Sequence, residues 1–176
     1  DEKDVDFTMA YKEKGTATLT STAAVDSLAL HAKAGKSATF ALDTITSLTK
    51  ATIDGDAKDI TVDLSTQTGL KTIDASKFIG NFAELKVKNV ADSNVVSGSG
   101  DDVIELDGVA NKQTIDAGAG TDLIGVTSTV ATAATNNLVL KNFEGLKITN
   151  ALGANLDMSK WADFNNVTLG DGISAA

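Results

Sequence analysis

Short apolar segments with alternating polar positions recur through the later two-thirds of the chain. Large aliphatic residues separated by single residues show the two-residue period of a β-strand that buries one face. Six such segments begin 25, 18, 20, 23 and 21 positions apart. They are Ile60-Thr61-Val62, Leu85-Lys86-Val87, Val103-Ile104-Glu105-Leu106, Leu123-Ile124-Gly125-Val126, Leu146-Lys147-Ile148 and Val167-Thr168-Leu169. The pattern predicts one strand roughly every 20 residues.

A second phrase repeats with the same period. Thr52-Ile53-Asp54 returns as Thr72-Ile73-Asp74, as Thr114-Ile115-Asp116 and more loosely as Asn155-Leu156-Asp157. The aspartates lie 20, 42 and 41 positions apart, so two spacings are close to twice the first. The missing copies are expected near Val95 and near Asn137-Leu138. Two independent phrases at one period indicate a structural repeat rather than a coincidence.

Two short strands in about 20 residues is the size of one coil of a parallel β-solenoid. A coil cannot bury its apolar face alone, so it stacks on the next coil at about 4.8 Å. We therefore predict an all-β fold, a parallel β-solenoid of the β-roll or β-helix type with coils of about 20 residues. Residues 52–176 would form about six coils. Residues 1–51 read as an irregular β region that continues the same stack.

The amino-acid composition argues against several classes of function. The 176 residues include no Cys, no Pro and no Arg, and the net charge is -9. That charge argues against nucleic-acid binding, and no apolar run is long enough for membrane insertion. One His and one Tyr leave few acid–base groups, and there is no nucleophile–base pair, zinc motif or phosphate loop. We predict that the chain is not an enzyme.

Two glycine-rich stretches stand in register with the repeat. They are Ser97-Gly98-Ser99-Gly100-Asp101-Asp102-Val103-Ile104-Glu105 and Ala117-Gly118-Ala119-Gly120-Thr121-Asp122-Leu123-Ile124-Gly125. Both fit the nonapeptide Gly-Gly-x-Gly-x-Asp-x-U-x, where U is a large aliphatic residue, except that Ser97 and Ala117 replace the first glycine. The two copies are separated by one repeat period, so they fall on equivalent turns of successive coils.

The chemistry of this motif points to calcium. Ca²⁺ takes six to eight oxygen ligands, and glycine-rich turns can direct backbone carbonyls towards an ion. One turn supplies only part of a shell, so we expect Asp102 and Asp122 to share one ion between adjacent coils. Their carboxylates would be joined by carbonyls drawn from Ser97, Gly98, Ser99, Gly100, Ala117, Gly118, Ala119 and Gly120.

Other polar residues are weaker candidates for metal ligands. Asp59, in Gly55-Asp56-Ala57-Lys58-Asp59-Ile60, stands at the ligand place of a degraded nonapeptide. The aspartates of the second repeat phrase are read as caps of turns, since Asp side chains accept bonds from the backbone two residues on. His31 is read as a surface or strand-edge residue.

The nonapeptides resemble the RTX repeats of proteins exported by Gram-negative type I secretion. The absence of Pro and Cys, the abundance of Thr and Ala, and phrases such as Leu140-Lys141-Asn142-Phe143-Glu144-Gly145-Leu146 resemble RTX-type bacterial surface-layer (S-layer) proteins. The resemblance implies a calcium-dependent solenoid that is secreted and assembles at the cell surface. Only two good nonapeptides are present.

The leading hypothesis is a structural segment of a secreted S-layer protein that folds on Ca²⁺ and packs with copies of itself into a lattice. Cell-surface polysaccharide would bind through regions outside this segment, because we read the chain as an excised piece. The alternative is a calcium-dependent RTX folding module of a type I-secreted enzyme or adhesin.

Overall fold

The chain folds into two parallel β-sheets that run the length of a solenoid. The computed structural model describes residues 3–10, 14–33, 35, 37–43, 45–108, 112–132, 138–153, 155–161 and 163–171. Over these residues the predicted fold class is confirmed. The chain is a β-solenoid of about seven turns, with equivalent positions about 22 residues apart.

Consecutive strands alternate between the two sheets as far as β14, and β15 then joins the same sheet as β14. In chain order within the first sheet, the described strands are β1 (Asp4–Met9), β3 (Ser27–Ala32), β5 (Lys50–Gly55), β7 (Thr72–Phe78), β9 (Asn94–Val96), β11 (Thr114–Asp116) and β13 (Val139–Lys141). The second sheet contains β2 (Gly15–Thr20), β4 (Ala38–Asp43), β6 (Asp59–Leu64), β8 (Asn81–Val87), β10 (Val103–Leu106), β12 (Leu123–Val126), β14 (Gly145–Ile148) and β15 (Asn166–Leu169). A short helix α1 (Ser128–Thr132) and a 3₁₀ turn (Met158–Trp161) lie in connections.

The two sequence phrases correspond to the two sheets. The six alternating segments lie in β6, β8, β10, β12, β14 and β15. The second phrase lies in the first sheet, where Val95 pairs with both Ile73 and Ile115 as the missing copy should. The next copy is centred on Leu140, which pairs with Ile115, while Asn137 lies outside the described residues. Asn155-Leu156-Asp157 precedes the 3₁₀ turn and is not in a strand.

The core lies between the sheets. In regular strands such as β6 every second residue points inward, so Ile60, Val62 and Leu64 are buried. Burying one such aliphatic side chain contributes about 1.5–3 kcal/mol. Phe78 and Phe82 are fully buried aromatic residues of the core, with ring centroids 4.6 Å apart.

The strands within residues 1–51 belong to the same two sheets. Strand β1 pairs with β3 and β2 pairs with β4, each over six residue pairs without a register shift. The register instead shifts farther along, between β5 and β7 and between β6 and β8. The second shift lies in the coil that precedes the first nonapeptide turn. Residues 1, 2 and 172–176 of the predicted regions lie outside the described part of the chain.

Candidate metal centre

The two nonapeptide turns lie on successive coils, immediately before β10 and β12. These strands pair in parallel with Val103 opposite Leu123, so the aspartates that precede them are also equivalent. The backbone N–H of Asp102 donates to Oδ1 of Asp122 at 2.7 Å. Both side chains are buried, with exposures of 1% and 0%. The structure therefore brings the two predicted carboxylate ligands together across one coil step.

The same bonding extends the pair into a column. The Phe82 N–H donates to Oδ1 of Asp102, and the Asp122 N–H donates to Oε2 of Glu144, both at 2.7 Å. Sequence reasoning missed Glu144, although it precedes β14 just as the aspartates precede β10 and β12. We call Asp102, Asp122 and Glu144 the inner acidic column.

The two aspartates of the inner acidic column differ in their partners. Asp102 also accepts a hydrogen bond on Oδ2 from the hydroxyl of Ser97. The equivalent residue one coil later is Ala117, which has no hydroxyl. Accordingly, Oδ2 of Asp122 is buried without a hydrogen-bond partner. A buried acceptor left unpaired costs about 1–3 kcal/mol, and more when it is charged.

Burial and charge repulsion act on the protonation of this column. Burial raises the pKa of Asp122 to about 7, the Asp102 N–H opposes that rise, and the negative charges of Asp102 and Glu144 add to it. Burial also raises the pKa of Asp102, against the bonds that its carboxylate accepts from Phe82, Ser97 and Gly98. Near neutral pH this burial and repulsion favour a protonated Asp122 or a cation beside it.

The motif glycines allow the coils to approach closely. A Cβ on Gly98 would lie 2.0 Å from the Phe78 carbonyl oxygen, and one on Gly118 would lie 2.0 Å from that of Gly98. Gly118 and Gly120 also have φ values of 89° and 144°, where a side chain is strained. Glycine at these places is thus explained by backbone stacking.

The predicted carbonyl ligands lie in the same two turns. The carbonyl of Gly98 accepts the Ala119 N–H at 3.1 Å, so one lone pair is used between coils. The N–H of Ser99 donates to the Phe78 carbonyl at 3.1 Å. Ser97 and Ala117 are buried at the start of each turn. Carbonyl ligation remains a prediction.

Asp59 belongs to a different column from the one predicted. It pairs with Asn81, whose Nδ2 donates to Asp59 Oδ1 at 3.3 Å, and the Asn81 side chain in turn accepts the Asp101 N–H. Asp59 therefore aligns with Asp101, one position before the ligand place, and the sequence assignment was wrong. The strand register is the reason, because Ile60 rather than Asp59 stands opposite Phe82, whose N–H donates to the inner acidic column.

The turn-cap interpretation holds for three of the four repeat aspartates. Asp74 accepts the Ser76 N–H at 3.1 Å, Asp116 accepts the Gly118 N–H at 3.1 Å, and Asp157 accepts the Ser159 N–H at 3.0 Å. Asp54 instead contacts His31 on the neighbouring strand. His31 lies on the outer face of β3, an interior strand, rather than at a sheet edge.

Within the described part of the chain, no three His, Cys, Asp or Glu side chains are arranged to hold a metal ion. A cation at the inner acidic column would therefore need backbone oxygens as well as carboxylates. No protein-family profile, curated protein or solved structure matches this sequence. None of the helices in the described residues has the length and apolarity that a membrane crossing requires.

Proposed function

We propose that the chain is a calcium-stabilised structural segment of a secreted S-layer protein, which assembles with copies of itself at the cell surface. The observation that carries the calcium step is the inner acidic column at the two nonapeptide turns. Its middle member, Asp122, is fully buried and has an oxygen without a partner. A bound cation would neutralise that oxygen and tie neighbouring coils together.

Calcium suits the oxygen donors that surround this column. The turns contain no sulfur ligand, and the sequence has no Cys. Hard oxygen donors favour Ca²⁺ over softer metals. Carboxylate oxygens from Asp102 and Asp122 and carbonyls of residues 97–100 and 117–120 would supply protein ligands, and water would fill the remaining positions. If the protein is secreted, the calcium affinity of the site should be that of extracellular modules, on the order of 0.1–1 mM.

The assembly step is supported by charge and by sheet edges. A net charge of -9 makes copies repel one another at low calcium, and divalent ions between acidic faces would remove that repulsion. The described sheets have edge strands at both ends of the stack, β1 and β2 at one end and β13 and β15 at the other. Such edges need a cover, which further coils or another copy would supply.

A calcium titration tests the folding step. Circular dichroism and Trp161 fluorescence should both show loss of order in chelator and recovery at millimolar calcium. Trp161 is the only tryptophan and is 3% exposed, so its emission reports folding directly. Asp102→Ala and Asp122→Ala should each weaken calcium binding, and the double variant should add little to either single one, because they share one ion.

Asp101→Asn is the matched control for that titration, since it removes the same charge from the adjacent exposed residue while its amide oxygen can still accept the Thr121 N–H. An unchanged spectrum and melting temperature in chelator would contradict the calcium step. Additive losses in the double variant would contradict a shared ion.

Light scattering on the intact protein separates the two candidate functions. Ordered assemblies that form at millimolar calcium and dissolve in chelator would support the S-layer proposal. A protein that folds with calcium but stays monomeric at every calcium concentration would favour the RTX folding module of a secreted enzyme or adhesin.

A further inference from the structure

The single histidine of the chain lies between carboxylates from two neighbouring strands. His31 stands on the outer face of β3, opposite Asp54 of β5 in the strand register. Its Nδ1 lies 2.7 Å from Oδ1 of Asp54. On the other side, its Nε2 lies 3.3 Å from Oδ1 of Asp6 in β1. Both ring nitrogens therefore face an acceptor oxygen.

Only the protonated ring can satisfy both contacts. A neutral imidazole has one N–H and one lone pair, so one nitrogen would face a carboxylate oxygen with no proton between them. The imidazolium has two N–H donors and can bridge both acids. The two acids are unequal, because the Asp6 side chain is 74% exposed and that of Asp54 is 38% exposed. Asp6 can therefore turn into solvent when the ring loses its proton, whereas the shorter contact to Asp54 keeps the remaining N–H.

We propose that protonation of His31 fastens the edge strand β1 onto the first sheet and that deprotonation loosens it. Strand β1 pairs only with β3 within the described residues, so its strand hydrogen bonds lie at this one boundary, and packing of Phe7 on Phe40 and burial of Met9 hold it from the other side. Loosening β1 would uncover the hydrogen-bonding edge of β3, where another strand can pair. The inference is independent of calcium at the inner acidic column.

Other charged groups face the same region. Strand β1 also presents Asp4, which accepts the Ser27 hydroxyl, and β5 presents Lys50 opposite Ser27. Beyond β5, strand β7 presents Asp74 and Lys77, with Lys77 opposite Asp54. Among the described residues, the carboxylates that act on the His31 ring are those of Asp6 and Asp54.

The direction of the pH dependence follows from these contacts. The hydrogen bond to Asp54, together with the charges of Asp54 and Asp6, raises the pKa of His31 above 6.5 against the effect of desolvation. A group whose pKa is raised on folding stabilises the fold fully below its unfolded value, and the contribution is lost as pH rises through the folded value. The attachment of β1 should therefore be strongest below about pH 6.5 and weaken above it.

Nuclear magnetic resonance provides the test at a fixed calcium concentration. Because the chain has one histidine, its ring protons titrate without ambiguity. We expect a native pKa above that of the urea-unfolded chain, and Asp6→Asn should lower it. Amide exchange of β1, corrected for intrinsic rates, should increase roughly two- to five-fold as the ring deprotonates, the change that one exposed ion pair produces. In Asp6→Asn that increase should be absent.

Asp4→Asn is the matched control, because it removes one charge from the same face of β1 without touching His31. It should leave the histidine titration and the exchange profile close to those of the unmodified chain. A native pKa at or below the unfolded value would overturn the proposal. Amide exchange of β1 that does not change as the His31 ring titrates would also overturn it. Equal effects of Asp4→Asn and Asp6→Asn would overturn it as well. Because Asp6 is largely exposed, Asp6→Asn should leave the chain folded, and the test then stays valid.

Discussion

Replacing Asp122 by Asn should remove the pH dependence that this buried carboxylate imposes on the fold when no calcium is present. The folded chain keeps the Asp122 proton up to a pKa of about 7, whereas the unfolded chain releases it near 3.8. Between those values the folded state binds more protons, so the free energy of unfolding decreases as pH rises. At about 1.4 kcal/mol for each pH unit, the loss across the window is at most about 4 kcal/mol.

Asparagine keeps one acceptor and removes the charge. Its Oδ1 can still accept the Asp102 N–H, but its amide group brings N–H donors to the place where Asp122 Oδ2 has no partner. Those donors destabilise the fold by about 1–3 kcal/mol at every pH. In chelator the variant should thus be less stable than the unmodified chain near pH 4. Above pH 7 it should be more stable, by about 1–3 kcal/mol.

Urea denaturation followed by Trp161 fluorescence between about pH 4 and pH 8 measures this difference. Asp101→Asn is the control, because it removes a neighbouring exposed charge while the amide oxygen can still accept the Thr121 N–H. Its difference from the unmodified chain should stay within about 0.5 kcal/mol across the range. A difference curve for Asp122→Asn that is equally flat would refute the assignment of Asp122 as a strained, buried carboxylate.

Two further substitutions test the geometry of the nonapeptide turns. Ala117→Ser should give Asp122 the hydroxyl donor that it lacks, raising the free energy of unfolding in chelator above pH 7 by about 1–2 kcal/mol; no gain in urea denaturation would count against the missing-donor explanation. Gly118→Ala should destabilise by at least about 3 kcal/mol, because its φ is positive and the new Cβ would lie 2.0 Å from the Gly98 carbonyl. Gly69→Ala is the comparison for the same denaturation experiment, with a Cβ 3.3 Å from backbone and an expected loss of about 1 kcal/mol or less; equal losses would contradict the close-stacking argument.

The sequence by itself determined the strands and their parallel stacking. Alternating aliphatic residues specify which strand face is buried, and their recurrence at one period brings like residues together in neighbouring coils. The nonapeptides also identified Asp102 and Asp122 as neighbours, because the coil between them matches the spacing of the motif and contains no register shift.

Where the coils differ in length, only the tertiary structure shows which residues of neighbouring coils pair. Leu85 pairs with Ile104 across a short coil, whereas Thr114 pairs with Val139 across a distinctly longer one. The register also places Ile60, rather than Asp59, opposite Phe82, which no local pattern reveals.

The partners of His31 and Asp122 depend on the same long-range register. Asp54 is 23 residues from His31, and Glu144 is 22 residues from Asp122, so these contacts join residues that are far apart in the sequence. Ala117 has the same position relative to Asp122 as Ser97 has relative to Asp102. Because alanine has no hydroxyl, Asp122 lacks the donor that Ser97 provides to Asp102. Strand identity is set by short-range alternation. Which residues meet between coils depends on how many residues each turn and bulge contains. Only the folded structure shows those numbers.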